Sequence, residues 1–415
     1  MLQQYLSQPD RIIDSIWFKY LGAYFSGRGV LTWDKIKGYY LEVPINRQGS
    51  LPSKLSFFNN QVIKQSDVTN IRIRTRHKNE WILIPDVVLK DKLDLIVQDR
   101  LSLFVPRIII SEVKKLTSEP NKVWEGQILV KCGRKPIFPD NIEIKETLNN
   151  MLIYGKIKRS GLYYKSSDGQ EITGTVVDDD YIEFYYKLPQ NNWTKAEAWN
   201  WAESAIYALS ILLGEKVVLL QRQLKRMNRV YRDIRIQTSV HQLGQLKPLG
   251  HLHILDKDIF VDLTNFFSKN TKSGDICKKI FLQMIEASKQ QTWEGASLLV
   301  STILEATLRT LEEHPFRDND RSFNIKQSFD KFCSNYFHSI NNDYFNEIYK
   351  TYKRLRHRNA HPDWLYTETG SMSDSQREKT LNDIILLSRF YGCIILAIAG
   401  INKVTFPPVS NKSKL

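Results

Sequence analysis

The stretch Tyr349-Lys350-Thr351-Tyr352-Lys353-Arg354-Leu355-Arg356-His357-Arg358-Asn359-Ala360-His361-Pro362-Asp363-Trp364 gathers the residue types that phosphate chemistry needs. An imidazole titrates near neutrality and can both take and give a proton. An arginine stays charged and offers a planar fork to phosphate oxygens. No acid precedes Asp363 in this run. Pro362 disfavours the α conformation at His361, so a helix is expected to end there and turn the ring off the helical surface. That matters because residues five apart on an unbroken helix lie ~140° out of phase. Arg356 and His361 face one cleft only where the helix terminates or unwinds.

Arg356-His357-Arg358-Asn359-Ala360-His361 resembles the signature of the HEPN superfamily, an Arg, a polar residue, a short spacer and a His, with His357 as the polar second residue. The Arg-Asn-Ala-His-Pro ending further resembles the Apea-like branch of bacterial anti-phage proteins, in which a β-rich N-terminal region precedes the helical domain. The resemblance covers roughly residues 275–400. It implies RNA cleavage without metal or cofactor, at a composite site across a homodimer of the helical domains. His361 would be general acid or base in attack of the ribose 2′-hydroxyl on the adjacent phosphate, leaving a 2′,3′-cyclic phosphate, and Arg356 would stabilise the charge that builds. His357 and Asn359 are auxiliary, Asn359 either positioning a phosphate or capping the helix end. Lys353, Arg354 and Arg358 would hold the RNA backbone. The resemblance also implies damage to cellular RNA, with tRNA one candidate, after a trigger ligand or phage component acts.

Simpler readings stand beside this one. A basic helix end complements its own dipole, and the same domain can serve as a non-catalytic scaffold. His357 and His361 have the four-residue spacing of metal ligands, but only Asp363 offers itself as a third, so no metal is expected. Glu305, amid apolar neighbours on another expected helix, either orients an arginine from inside the bundle or stands exposed, and exposure is the preferred reading.

A second set of residues competes. Pro85-Asp86 follows a strand-like run, and Glu112-Val113-Lys114 follows Arg107-Ile108-Ile109-Ile110-Ser111, a pattern that looks like the restriction-endonuclease-like motif. There Asp86 and Glu112 would hold Mg²⁺ and Lys114 the attacked phosphate, which requires all three to converge at adjacent strand ends. The strand-like run Leu101–Val105 between them weakens the match. Two arginine stripes, Arg72/Arg74/Arg76 on a strand and Arg222/Arg226/Arg229/Arg232 on a helical face, are either RNA contacts or solvated faces.

These residues must be positioned by two kinds of element. From about 16 to 190, short aromatic and β-branched runs such as Tyr39–Val43, Trp81–Ile84 and Tyr181–Tyr186 alternate with turn residues, predicting antiparallel strands. Thr194-Lys195-Ala196-Glu197, with Trp193 before it, is a capping box opening a helix that ends near Gly214. Residues 217–265 read both ways: Val217–Leu220 and Ile259–Leu263 look like strands, while Leu220, Leu224, Met227, Tyr231 and Ile234 recur at helical spacing. Helices are predicted at about 275–291, 294–313, 324–339, 342–360 and 374–399. Leu298, Leu299, Ile303, Leu304, Leu308 and Leu311 would line one face of the second, and Phe345, Ile348, Tyr349, Tyr352 and Leu355 one face of the fourth. The fold class is therefore α+β and multidomain: a β-rich recognition or regulatory domain, sandwich or barrel-like, at 1–190, a mixed connector at 191–274, an all-α bundle at 275–400 and a flexible tail at 401–415.

Bulk properties agree. A chain of 415 residues exceeds the ~250–300 that one core serves. The formal charge of +14, from 59 Lys and Arg against 45 Asp and Glu, favours polyanionic partners. Four scattered cysteines argue against a zinc ribbon or disulfide framework and for a reducing cytoplasm. The N-terminus lacks a signal-peptide pattern, and Ile384–Ala399 is short of a membrane span and carries Arg389, so a buried helix and no membrane partner are expected.

Overall fold

The computed structural model describes residues 11–20, 23–34, 38–44, 71–75, 80–84, 88–89, 100–105, 107–113, 123–133, 137–145, 156–178, 180–226, 229–235, 240–249, 256–314, 323–337, 342–360, 374–401 and 406. An antiparallel sheet region precedes seven helices among these residues, an α+β layout. Two compact units divide the chain. One comprises Met1–Lys131, Tyr163–Ala198 and Val218–Ser239, the other Cys132–Leu162, Trp199–Val217 and Val240–Leu415.

The strands are β1 (Arg11–Tyr20), β2 (Ala23–Asp34), β3 (Gly38–Pro44), β4 (Ile71–Thr75), β5 (Glu80–Ile84), β6 (Val88–Leu89), β7 (Arg100–Val105), β8 (Arg107–Val113), β9 (Val123–Lys131), β10 (Asp140–Lys145), β11 (Lys156–Lys165), β12 (Glu171–Asp178), β13 (Tyr181–Pro189), β14 (Glu215–Lys216), β15 (Val218–Arg226), β16 (Arg229–Arg235) and β17 (His241–Gln242). In the first unit the hydrogen-bonded order is β12-β13-β9-β15-β16-β8-β5-β4-β1-β2-β3-β7-β6. Its best packed part places large rings over glycines. Gly126 faces Tyr186 and Gly174 faces Phe184 across the ladder, and a Cβ at Gly126 would lie 1.8 Å from the Tyr186 ring. With Ile128, Ile182 and Leu224 these rings form a buried inner face.

The stretch with helical spacing at 220–234 is instead the β15–β16 hairpin. A spacing of four is also a multiple of two, so Leu220 and Leu224 satisfy a strand face equally well. The basic helical face expected there does not form. Arg222 is buried and its Nε donates to Asp233 Oδ2 at 3.0 Å, with Arg235 on the same oxygen at 3.1 Å. Arg72 and Arg74 stand on β4, opposite Leu83 and Trp81 of β5. Arg76 lies outside the described residues.

In the second unit, β10 pairs with the start of β11 from Asp140↔Gly161 to Lys145↔Lys156, and β14 pairs with β17. The helices are α1 (Lys195–Leu213), which begins in the first unit and continues in the second, and, within the second unit, α2 (Lys257–Ser268), α3 (Lys272–Ser288), α4 (Trp293–Leu311), α5 (Ile325–Tyr336), α6 (Asn342–Ala360) and α7 (Asp374–Ile398). At the start of α1 the capping box closes: Thr194 N–H donates to Glu197 Oε2 at 2.8 Å, and Glu197 N–H to Thr194 Oγ1 at 3.2 Å. The strand-like Ile259–Leu263 lies inside α2, capped by Asp256, whose carboxylate accepts from the backbone N–H groups of Asp258 and Ile259. Burial of Ile259, Phe260, Val261 and Leu263 together hides the helical period there.

The core of the second unit is set by α4, which packs against α3, α5, α6 and α7. So enclosed a helix buries more than one stripe, and Ser297, Ser301, Glu305, Thr307 and Arg309 are buried beside Ile303, Leu304 and Leu308. Leu298, expected on the core face, is 50% exposed. On α6, Phe345, Ile348, Tyr352 and Leu355 are buried as the periodicity predicts. Gly392 on α7 lets Pro248 approach, since a Cβ would sit 2.2 Å from the Pro248 carbonyl oxygen. Packing extends past 400: Ile401 is buried, and the Phe406 ring meets Phe337, Tyr344 and Phe345 edge-on, so these two residues depart from the non-packing tail expected at 401–415. Among the described residues one segment, Arg377–Ile398, is long and apolar enough to cross a membrane by length and composition, and 67% of its most apolar window is buried inside the fold. The Tyr391 hydroxyl on it donates to the Val300 carbonyl at 2.6 Å.

Candidate active site

The C-terminal half of α6 presents its residues in two directions. Tyr352 and Leu355 point into the bundle, while Lys353, Arg356 and His357 are exposed. Arg358 and Asn359 lie on the last turn of α6, which reaches Ala360. His361, the other half of the expected pair, lies outside the described residues.

Arg356 is held from beneath. Its Nη1 donates to Glu305 Oε2 at 2.7 Å and to the Tyr352 hydroxyl oxygen at 2.6 Å. Glu305 sits on α4 with its side chain only 11% exposed, against 48% for Arg356. The preferred reading of Glu305 as an exposed carboxylate is therefore overturned: α4 is enclosed by four other helices, and little of the Glu305 side chain reaches solvent. A buried carboxylate needs partners, and it has two. Oε1 accepts from Arg309 Nε at 3.0 Å, one helical turn on, and Oε2 accepts from Arg356. The Arg309 guanidinium in turn lies 4.3 Å from the centroid of the Phe323 ring, and its Nη1 lies 3.3 Å from His314 Nδ1.

Among the described residues this cluster holds two guanidiniums and one carboxylate. Burial pushes the Tyr352 hydroxyl up to about 12, against the opposing influence of Arg356, so the phenol stays protonated and its oxygen accepts from Arg356. Partial burial works against the charge on Arg356, yet Tyr352 and Glu305 together carry its pKa above the ordinary arginine value. The Nε and Nη2 donors of Arg356 have no partner among the described residues, and the side chain is half exposed. The result is a cation fixed at one nitrogen with its remaining donors available to an anion.

Arg354, expected on the RNA backbone, is engaged within the bundle. Its Nη2 donates to Asp383 Oδ1 at 2.9 Å and to Thr351 Oγ1 at 2.7 Å, its Nε to Asp383 Oδ2 at 3.2 Å, and its Nη1 to Glu347 at 3.0 Å. This bidentate pair ties α6 to α7, and it raises the Arg354 pKa, Asp383 being the largest cause. Of the residues expected to hold RNA, Lys353 remains exposed on α6.

Of the competing set, Glu112 stands on β8, opposite Glu80 of β5 and Val230 of β16. Asp86 and Lys114 lie outside the described residues. The strand leading to Asp86, β5, runs antiparallel to β8, with Leu83 opposite Ile109 and Glu80 opposite Glu112.

Two members of the cluster escaped the sequence reading, Tyr352 as a polar partner and Arg309. The four-residue spacing of Glu305 and Arg309 carried a signal for the second.

No protein-family model, curated protein or solved structure matches the chain.

Proposed function

We propose that the protein is a metal-independent endoribonuclease of the kind its Arg-x4-His motif resembles, serving bacterial defence against phage. The observation that carries the reading is the anchoring of Arg356: a buried carboxylate and a buried phenol hold one nitrogen and leave the rest of the fork to solvent. A merely solvated cation needs no such seat. At a scissile phosphodiester, Arg356 binds a non-bridging oxygen and stabilises the charge of the pentacoordinate transition state. His361, one residue beyond the described end of α6, takes the proton of the ribose 2′-hydroxyl as that oxygen attacks phosphorus, or gives a proton to the departing 5′-oxygen. The P–O5′ bond breaks, leaving a 2′,3′-cyclic phosphate and a 5′-hydroxyl. In the dimer this reading entails, each copy contributes to a composite site.

The test is cleavage of RNA by the full chain in EDTA, with Arg356→Ala and His361→Ala both inactive while folded. A second reading, a non-catalytic scaffold that binds RNA or dimerises, is favoured by the commitment of Arg354 to Asp383 and Glu347. It expects salt-sensitive binding and no cleavage in the same assay.

A further inference from the structure

We propose that the end of the β15–β16 hairpin, with the first residue of α1, is a second binding site for the phosphate backbone of RNA, made by Lys195, Arg226 and Arg229 around Tyr231. All four residues belong to the first unit. Arg226 and Arg229 stand directly opposite each other on the two strands, a pairing of like charges that destabilises a hairpin. Both are exposed, as is Lys195, and no acidic partner is described for any of the three among the described residues. Each is nevertheless placed. The Arg226 guanidinium lies 4.7 Å from the centroid of the Trp124 ring, with Nη2 donating to Gln190 Oε1 at 3.3 Å. Lys195 Nζ lies 3.9 Å from the centroid of the Tyr231 ring. Burial works to raise the Tyr231 pKa, but hydrogen bonds from Lys195 and Arg229 carry it below the ordinary phenol value, a mark of the positive field. The neighbouring Lys225 is matched by an acid, Glu125 at 3.3 Å, in an exposed pair.

Three placed cations without acids form an anion site, and two of them are guanidinium forks, which suit phosphate. The rings of Trp124 and Tyr231 are already covered by Arg226 and Lys195. The patch therefore offers charge and donors with no free ring for stacking and no apolar wedge, which fits a backbone read without base preference and not insertion into a lipid surface. The choice of RNA as the polyanion rests on the proposed function; the anion site itself does not.

Binding of a fluorescein-labelled oligouridine to the full chain, followed by anisotropy across a salt series, tests the assignment. Each lost phosphate contact on a single strand flattens the slope of log K against log salt by about 0.7, so Arg229→Gln is expected to flatten it by about 0.7 and Arg226→Gln/Arg229→Gln by about 1.4. Arg229→Gln removes no buried packing, which keeps the test valid if the double variant folds poorly. An unchanged slope in folded Arg229→Gln overturns the proposal, as does loss of binding to anionic vesicles or polyglutamate without loss of oligouridine binding. If the slope falls while the unaltered protein cleaves no RNA, the patch stands and the nuclease reading fails. If cleavage is intact and the slope does not move, the reverse holds.

Discussion

Glu305 on α4 and Arg356 on α6 form a 2.7 Å ion pair whose halves see different surroundings, a carboxylate 11% exposed and a guanidinium 48% exposed. The carboxylate also holds Arg309, whose side chain is 9% exposed. Positioning of Arg356 and stability of the bundle are thus coupled through one side chain, and substitutions can separate them.

Glu305→Ala removes the buried carboxylate from Arg309 and Arg356, and breaking a buried pair from one side costs about 3–5 kcal/mol. Chemical denaturation should show that loss. In Glu305→Leu/Arg309→Met both buried charges are gone and most of the stability is expected to return, but Arg356 still lacks its anchor. Cleavage should therefore stay low in the double variant, and full recovery of cleavage would show that Glu305 acts on stability alone.

Tyr352→Phe removes one acceptor from Arg356 and keeps the ring in its packing. A hydrogen bond to a charged group contributes about 1.5–3 kcal/mol, so kcat for RNA cleavage is expected to fall about tenfold or more. The thermal midpoint should move little.

Arg354→Ala removes the tie from α6 to α7. With its side chain 33% exposed and Asp383 only 8% exposed, the expected cost is about 1–2 kcal/mol after allowance for solvent screening. The salt dependence of RNA binding should not change, because the donors of Arg354 face Asp383, Glu347 and Thr351. A flattened slope would return Arg354 to the RNA surface.

His241 supplies a pH dependence. Its Nε2 lies 2.8 Å from Ser288 Oγ, and burial, with Lys289 and Lys216 adding to it against Glu286, holds its pKa below the ordinary histidine value. The unfolded chain therefore binds this proton more readily than the folded one, and stability falls as pH drops below about 6.5. Unfolding midpoints measured from pH 7.5 down to 5 should decline, and the decline should be shallower in His241→Gln.

Much of this arrangement was legible before the structure. The capping box at Thr194 and Glu197 and the buried arc of α6 follow from local rules, because a cap and an i, i+3, i+4 stripe require only neighbouring residues. Position 220–234 was not legible, since Leu220 and Leu224 fit both periods and only pairing with β9 and β8 decides between them. Ile259–Leu263 misleads for a related reason: a short buried apolar run has no visible period, and the discriminating signal was the Asp256 cap. Glu305 is the instructive case. Charge at a helical position suggests water, but the helix lies among four others, and that enclosure is a property of the bundle and not of residues 301–309.

Joint action of Arg356 and His361 on one phosphate is reached by a single assay. RNA is incubated with the full chain in EDTA, and the product ends are identified for the unaltered protein, Arg356→Ala, His361→Ala and Asp86→Ala, each checked for folding. 2′,3′-Cyclic phosphate ends are expected from the unaltered protein and from Asp86→Ala, and none from the other two. Cleavage that persists in folded Arg356→Ala and His361→Ala, or that EDTA and Asp86→Ala abolish, would contradict that joint action.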